Sequence, residues 1–441
     1  MLRKFIATSV LLGLATTPSV FAKSGWELIL DNYNMSPEHH AFCFTDSKGK
    51  VRGSNPHMKV RLASVSKLVT TYWAINKLTP EYHFKSQFYL KDKHLHIVGD
   101  KDPIFSKRKL FFILSQLNNM GITELDKITF DSNLRVFTNA EGYVGDIFKV
   151  KKSRTAANLK DFFHTPAWNK LKVAYKSFVK ETPSEVLTTL EIRESIDDLN
   201  LSVKEVSFLK ENPLANDPEA KVSLHLSPEL VKYLKAMNIK SNNFIADQVF
   251  DKLGGEVEFD KFIAEKVESW YPNLDVDRKK FSENESSIKI YSGSGLPTYK
   301  NSKRQDNYAT CSLIVRIVED LNDTMIEYQK SLQQIVAVAG SDIDSSGATK
   351  STIRKRFLSP KLKNAVMAKT GTLFHTSALA GKVSTKQGEH YFGVFHQLRG
   401  WKGHAKAAQN EIVNKLVADY GGGEKVEYNK EYFFPAFEVM R

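Results

Sequence analysis

The chain has 441 residues, 41% of them hydrophobic, and its 63 Lys and Arg outnumber the 50 Asp and Glu, so the formal net charge is +13. This charge indicates a solvated lysine-rich surface or, as an alternative, a surface that attracts anionic envelope polymers. The sequence has no zinc-ligand spacing and no RNP-like aromatic motif, which excludes the common nucleic-acid-binding modules. The 12 histidines show no His-Glu-x-x-His or similar spacing, so we expect no metal and no cofactor.

Residues 1–22 have the pattern of a secretory signal peptide. They begin with Arg3 and Lys4, continue with an apolar core over residues 5–14 and end in the small-residue site Val20-Phe21-Ala22. No other apolar run is long enough to cross a membrane, so we expect no transmembrane segment in the mature chain. The sequence therefore predicts a protein that is periplasmic or secreted after signal-peptide cleavage.

A Ser-x-x-Lys motif at Ser64 and Lys67 opens the first long helix that the sequence predicts. The motif occurs six times in the chain, so the pattern alone has little specificity. Only this copy follows an extended basic stretch, Met58 to Leu62, and precedes a long apolar run, Leu68 to Ile75, typical of a buried helix. A serine at this helix N-terminus would lie where free N–H groups and the helix dipole favour developing negative charge.

The stretch between this helix and the next motif is far longer than one helical subdomain needs. We therefore expect an inserted domain of mixed α/β structure at about residues 86–221, within a catalytic domain formed by residues 23–85 and 222–441. Leu95–Val98 and Lys127–Phe130 have the alternation of strands, and Leu110–Leu117 has the periodicity of a helix. The second half of the insertion is polar and rich in lysine.

A Ser-x-Asn motif follows the predicted insertion at Ser241 and Asn243. It precedes an apolar stretch, Phe244 to Phe250, with the periodicity of a helix. A second copy, Ser282-Glu283-Asn284, lies in a charged stretch that is typical of a loop. Context therefore favours the copy at Ser241.

A Lys-Thr-Gly motif at Lys369, Thr370 and Gly371 lies in the first of three predicted antiparallel strands. The other two are Ser377–Val383 and Tyr391–Phe395. With Thr372, the motif suits a strand edge onto which an extended peptide adds, and glycine there lets two backbones approach closely. The aromatic segment at residues 432–437 is expected to pack on the body of the protein.

Two cysteines, Cys43 and Cys311, are far apart in the sequence. Cys43 lies in a predicted strand at residues 40–44, and Cys311 begins a predicted helix. An exported protein can form a disulfide, but Cys is often simply buried, and we favour two buried free thiols over a disulfide.

The three motifs together have the residue types that serine acyl transfer requires. Ser64 would be the nucleophile, and Lys67, one helical turn later, its base if burial and nearby positive charge lower the lysine pKa. Lys369 would supply that charge. Ser241 would relay a proton between Lys67 and the leaving group, while Asn243 would orient Lys67 and the substrate amide.

The ordered motifs are similar to those of penicillin-binding proteins and class A β-lactamases. The chain resembles more narrowly the penicillin-binding protein 4 type of D-alanyl-D-alanine carboxypeptidase and endopeptidase, the S13 serine peptidases. Further support comes from the Gly-Asp-Lys-Asp-Pro segment at residues 99–103, Ser292-Gly293-Ser294-Gly295-Leu296 and the segment 353–357. The insertion is shorter than this family usually carries.

The resemblance implies an α+β fold: a penicillin-binding, transpeptidase-like catalytic domain with an antiparallel sheet flanked by helices, plus a smaller inserted domain. It implies hydrolysis of D-Ala-containing peptide bonds through an acyl-enzyme on Ser64. The oxyanion would be held by backbone N–H groups of Ser64 and Thr372, and the substrate carboxylate by Lys369, Thr370 and Thr372. The expected partners are peptidoglycan stem peptides and cross-links, with β-lactam antibiotics as covalent inhibitors.

Two alternatives remain from the sequence. A serine β-lactamase shares the three motifs, but no glutamate after Asn243 can be assigned as a dedicated deacylation base. A non-catalytic cell-wall-binding protein on the same fold is the other alternative, and the retention of every reactive side chain argues against it.

Overall fold

The structure is a computed structural model, and it describes residues 24–105, 107–136, 151–270, 287–342, 351–397, 402–429 and 439–440. The predicted signal peptide, the second Ser-x-Asn copy at residues 282–284 and the aromatic segment at 432–437 lie outside these ranges. No helix of the described part is long and apolar enough to cross a membrane.

An antiparallel sheet of five strands forms the centre of the catalytic body. The strands lie in the order β13-β14-β15-β1-β2. Their bounds are β1 His40–Thr45, β2 Val51–Ser54, β13 Val366–Leu373, β14 Thr376–Thr385 and β15 Gly388–Gln397. Every residue of β14 is buried because helices cover both faces of the sheet. The three strands predicted around the Lys-Thr-Gly motif are confirmed.

Three helices flank this sheet: α1 Gly25–Asn32, α10 Cys311–Glu327 and α11 Lys402–Asp419. On one face, Ala378 and Ala380 of β14 pack in one core with Ile314 of α10. On the other face, Leu379 packs with Ala405 of α11. Successive side chains of β14 therefore belong alternately to two hydrophobic cores. The expected α+β architecture is confirmed.

A helical half lies against the sheet and carries two of the predicted motifs. It contains α2 Ser66–Leu78, α7 Leu230–Lys240, α8 Asn243–Lys252 and α9 Gly255–Trp270. In α2, every residue from Ser66 to Ile75 is buried, so this helix is central to the body. Trp73 of α2 contacts Phe250 and Phe259 edge to face.

A second sheet, mixed and six-stranded, has the order β16-β8-β4-β5-β6-β7. The strand bounds are β4 His83–Lys91, β5 His94–Val98, β6 Glu124–Phe130, β7 Ser202–Phe208, β8 Lys221–Glu229 and β16 Val439–Met440. The accompanying helices are α3 Lys107–Asn119, α4 Lys152–Phe163, α5 Lys170–Glu181 and α6 Ser184–Thr189. The two strands and the helix predicted for the first half of the insertion are confirmed.

These elements have a core of their own, in which Phe111 of α3 contacts Phe162, Trp168, Tyr175 and Phe178. Residue 86 falls within β4 and residue 222 within β8, so the proposed domain boundaries stay a prediction.

Two small sheets complete the described strands. One joins β3 Lys59–Arg61, β12 Tyr308–Thr310 and β9 Ile288–Lys289, and the other pairs β10 Thr298–Lys300 with β11 Lys303–Gln305. The extended stretch predicted before Ser64 is therefore strand β3.

Cys43 and Cys311 form a disulfide, so the expectation of two free thiols was wrong. Cys43 lies in β1, which pairs with β15, and α10 packs across both strands from its first residue, Cys311. This packing brings the two Cα atoms to 6.1 Å, within the range that a disulfide spans. The 268 residues between the cysteines gave no local signal for this contact.

The variant with both Cys43→Ser and Cys311→Ser is expected to lose about 2–5 kcal/mol of unfolding free energy, because the crosslink restricts the unfolded chain. Urea denaturation of the wild type and the double variant, with matched buffers and no reductant, measures this loss. Two titratable thiols in the unfolded, unreduced wild type, or an unchanged urea midpoint in the variant, would contradict the disulfide.

Candidate functional site

Ser64 lies in a single 3-10 turn, Ala63–Val65, immediately before α2. The serine is partly exposed, whereas Lys67 in the first turn of α2 is fully buried. Ala63 has a positive φ of 48°, a conformation that non-glycine residues adopt at a cost. A Cβ placed on Gly295 would lie 1.8 Å from the Ala63 carbonyl oxygen, so only glycine lets the 292–296 segment approach this turn.

The Lys67 ammonium nitrogen makes three hydrogen bonds at the centre of the site. It lies 3.1 Å from Ser64 Oγ, 2.7 Å from Asn243 Oδ1 and 2.7 Å from the Ser294 carbonyl oxygen. Burial lowers the Lys67 pKa to about 7, although the negative charge of Asp247 opposes the shift. A large fraction of Lys67 is therefore neutral near neutral pH and can accept a proton from Ser64.

Ser241 and Lys369 form a second pair. Ser241 ends α7 in the left-handed conformation with φ 55°. Its hydroxyl accepts a hydrogen bond of 2.9 Å from Lys369 Nζ, which also donates to the Thr370 carbonyl oxygen over 2.7 Å. Burial, and next the charge of Lys67, hold the Lys369 pKa well below its usual value. Asn243 is the first residue of the next helix, α8.

At Gly371, strand β13 passes the turn that carries Ser64. A Cβ at this position would lie 2.6 Å from the Leu62 carbonyl oxygen and 3.1 Å from the Ser64 backbone nitrogen, so glycine permits the contact. The absence of a side chain at Gly371 therefore lets β13 pass directly against this turn, while its role toward an added peptide stays a prediction.

Among the described residues, the outer edge of β13 is covered only along its first residues. Ala337 and Ala339 exchange backbone hydrogen bonds with Val366 and Ala368. Within the described ranges, no strand pairs with the outer edge from Lys369 to Leu373. This edge can therefore accept an extended peptide as an added strand.

Two side chains outside the three motifs, those of Asp247 and Asn307, hold the site together. Asp247 Oδ1 accepts a 2.7 Å hydrogen bond from the backbone N–H of Ser294. The carbonyl oxygen of the same Ser294 accepts a hydrogen bond from Lys67. Asn307 donates to Ser66 Oγ over 3.0 Å and to the Ser292 carbonyl over 2.6 Å. Asp247 follows Asn243 by four residues on one helix, a spacing that could have drawn attention to it. No pattern marks Asn307.

The structure brings the predicted site residues Ser64, Lys67 and Asn243 into one hydrogen-bonded group, and Ser241 and Lys369 into an adjacent one. Thr370, Gly371 and Thr372 line a cleft of about 430 Å³ beside them. Among the described residues, no group of three or more His, Cys, Asp or Glu side chains could hold a metal ion.

Comparison with known structures shows similar folds in bacterial cell-wall enzymes. The predatory endopeptidase Bd3459 from Bdellovibrio bacteriovorus, solved in complex with the immunity protein Bd3460, is 26% identical, with 90% of this chain and 97% of that chain covered and a TM-score of 0.74. The predatory endopeptidase Bd0816 from the same organism, also in complex with Bd3460, is 27% identical with the same coverage and TM-score.

Penicillin binding protein 4 (dacB) from Haemophilus influenzae is 15% identical, with 90% of this chain and 100% of that chain covered and a TM-score of 0.57. This likeness shows a shared fold. A search of curated protein sequences finds no match.

The sequence also matches the profile of the D-Ala-D-Ala carboxypeptidase 3 (S13) family over residues 45–144 and 194–418. These two ranges include every residue of the three motifs and cover more than half of the chain. The chain therefore belongs to the D-Ala-D-Ala carboxypeptidase 3 (S13) family of serine peptidases.

Proposed function

We propose that this protein is an exported serine DD-peptidase that cleaves peptidoglycan cross-links through an acyl-enzyme on Ser64. The observation that carries the proposal is the 3.1 Å contact between Ser64 Oγ and the buried nitrogen of Lys67, a lysine whose pKa is lowered to about 7. A neutral amine at hydrogen-bond distance is what a serine hydroxyl needs to become a nucleophile.

In the proposed acylation step, Ser64 Oγ attacks the carbonyl carbon of the D-alanine that forms the cross-link while its proton moves to Lys67. Backbone N–H groups of Ser64 and Thr372 hold the oxyanion. The carbon–nitrogen bond then breaks, and the proton passes through the Ser241 hydroxyl to the leaving amine. Water subsequently attacks the ester carbonyl, which releases the shortened peptide and restores Ser64.

The same geometry supports a binding mode for the substrate. The peptide would add to the uncovered edge of β13, with its carboxylate near Lys369, Thr370 and Thr372. Burial holds the Lys369 pKa below its usual value, and a bound anion would raise it again, since opposite charge favours the charged form. Substrate binding and a positive Lys369 would therefore reinforce one another.

The similarity to two predatory endopeptidases at 26% and 27% identity favours cross-link cleavage over removal of a terminal D-alanine. In addition, Bd3459 has been solved as a penicillin G acylated enzyme, with 26% identity to this chain. We infer that β-lactams acylate Ser64 here as well. The cell wall lies outside the cytoplasm, which places the working enzyme in the periplasm or in the medium.

Digestion of purified cross-linked muropeptide dimers tests the proposal. We expect dimers to be converted to monomers by the wild type, because the uncovered strand edge leaves room for a bulky leaving peptide. The products are separated by chromatography and identified by mass. If pentapeptides lose D-alanine while dimers stay intact, the enzyme is a carboxypeptidase and the endopeptidase proposal is wrong. Rapid turnover of a chromogenic cephalosporin would instead indicate a β-lactamase.

A further inference from the structure

The cleft beside β13 is lined, in addition to Thr370, Gly371 and Thr372, by a group of basic side chains that we call its basic end. Its wall there is formed by Arg354, Lys355 and Arg356 from the segment before β13 and by Lys406 from α11. The lining residues that the structure describes include no Asp or Glu. In its described part, the cleft therefore combines the hydroxyl groups of Thr370 and Thr372 with four cations and no compensating carboxylate.

Arg356 lies deepest among these cations. Its guanidinium donates to Asn410 Oδ1 over 2.7 Å and to Gln409 Oε1 over 3.2 Å, and both acceptors are neutral. No carboxylate pairs with it among the described residues. Burial lowers the Arg356 pKa to about 10, because removal of the guanidinium from water disfavours its charged form. An anion bound in the cleft would stabilise that charged form.

The other three cations are exposed, and within the described ranges none of them makes an ion pair with a carboxylate. Four like charges at one end of a small cleft repel one another, and a bound anion removes that repulsion. Arginine suits carboxylates in particular because its planar fork matches their two oxygens.

We propose that this basic end of the cleft is a carboxylate subsite, which binds acidic groups of the stem peptide beyond the two residues that flank the scissile bond. This proposal rests on the function proposed above. The scissile pair contributes one carboxylate, which Lys369, Thr370 and Thr372 would hold. Stem peptides carry additional carboxylates, either on the acyl-donor stem or on the leaving stem, and both sources have the same chemistry.

The test variant is Arg354→Gln with Lys406→Gln. Both side chains are exposed, and neither touches the Ser64, Lys67 or Lys369 groups, so the catalytic machinery should remain intact. The control variant, Lys172→Gln with Lys176→Gln, removes two exposed positive charges from α5 of the second core. Acylation of each protein by penicillin, measured as intact mass, verifies that its serine site is formed.

Three substrates separate the carboxylates. The first is a short N-blocked D-Ala-D-Ala peptide whose terminal carboxylate is its only one. The second is a stem pentapeptide and the third a cross-linked dimer, each prepared with its other carboxylates free or amidated. We expect the wild type and the control variant to prefer the free forms by about 2- to 5-fold in kcat/KM, the range typical of a partly exposed charge pair.

The test variant should lose this preference and hydrolyse the short peptide at the wild-type rate. A preference for both the free pentapeptide and the free dimer would place the carboxylate on the donor stem, and a preference for the free dimer alone would place it on the leaving stem. Equal kcat/KM of the wild type for free and amidated forms would overturn the subsite, as would an equal loss on all substrates in the test variant. If the wild type hydrolyses none of the substrates yet is acylated by penicillin, the proposed function is wrong, and the subsite proposal that rests on it is wrong as well.

Discussion

The Ser64→Ala variant is expected to lose peptide hydrolysis by a factor of about 10³ or more and to form no adduct with penicillin. The hydroxyl of Ser64 is the atom that would bond to the acyl group, and no other group of the site can replace it in that role. Muropeptide digestion measures the first effect, and mass spectrometry of the intact protein after incubation with penicillin measures the second.

Ser47→Ala is the matched control, since Ser47 opens another Ser-x-x-Lys sequence but lies exposed in a turn between β1 and β2. This variant should keep full activity and form the adduct. A penicillin adduct on Ser64→Ala, or undiminished hydrolysis by it, would refute the assignment of the nucleophile. It would also revive the interpretation of the protein as a non-catalytic cell-wall binder.

The rate of penicillin acylation should rise with pH and level off above a midpoint near pH 7. Lys67 has a pKa lowered to about 7, and only its neutral form can accept the Ser64 proton. Below the midpoint the lysine is protonated, so the rate should fall about tenfold for each pH unit. Stopped-flow or quenched acylation between pH 5 and 9 measures the profile.

Lys67→Arg should reduce acylation by about 10²- to 10⁴-fold over the same range, because a guanidinium stays protonated and cannot act as a base. The control is Lys77→Arg, an exposed lysine near the end of the same helix, which should leave rate and midpoint unchanged. A flat profile in the wild type, or a Lys67→Arg variant with normal rates, would show that Lys67 is not the acylation base.

Local patterns predicted the elements of the catalytic body well. The apolar runs after Ser64 and Asn243 are helices α2 and α8, and the three apolar stretches around Lys369 are the antiparallel strands β13, β14 and β15. Such long segments can be predicted locally. An element with one buried face has apolar residues at its own period, and an element that is buried on all sides is apolar throughout.

Contacts between distant segments could not be predicted in this way. The carbonyl of Ser294, which binds Lys67, lies in the segment 292–296, whose sequence indicated a family resemblance but no contact with Lys67. Asn307 and Asp247, which hold that segment, carry no motif. The pairing of Cys43 with Cys311 was predicted wrongly for the same reason. It depends on α10 crossing β1, and no local residue pattern encodes that crossing.

The sequence by itself determined which residues are available for chemistry: a serine and a lysine one turn apart at a helix start, a Ser-x-Asn before a second helix, and a Lys-Thr-Gly in a strand. Residue type and local spacing suffice for that, because they depend on covalent order alone. Only the tertiary structure decided that Lys67 is buried with a lowered pKa and that four cations share a cleft beside β13. It also decided that no described strand pairs with the outer edge of β13 beyond Ala368. The burial of a side chain, its distance to other groups and the charge around it result from the packing of segments remote in sequence, and no local residue pattern encodes them.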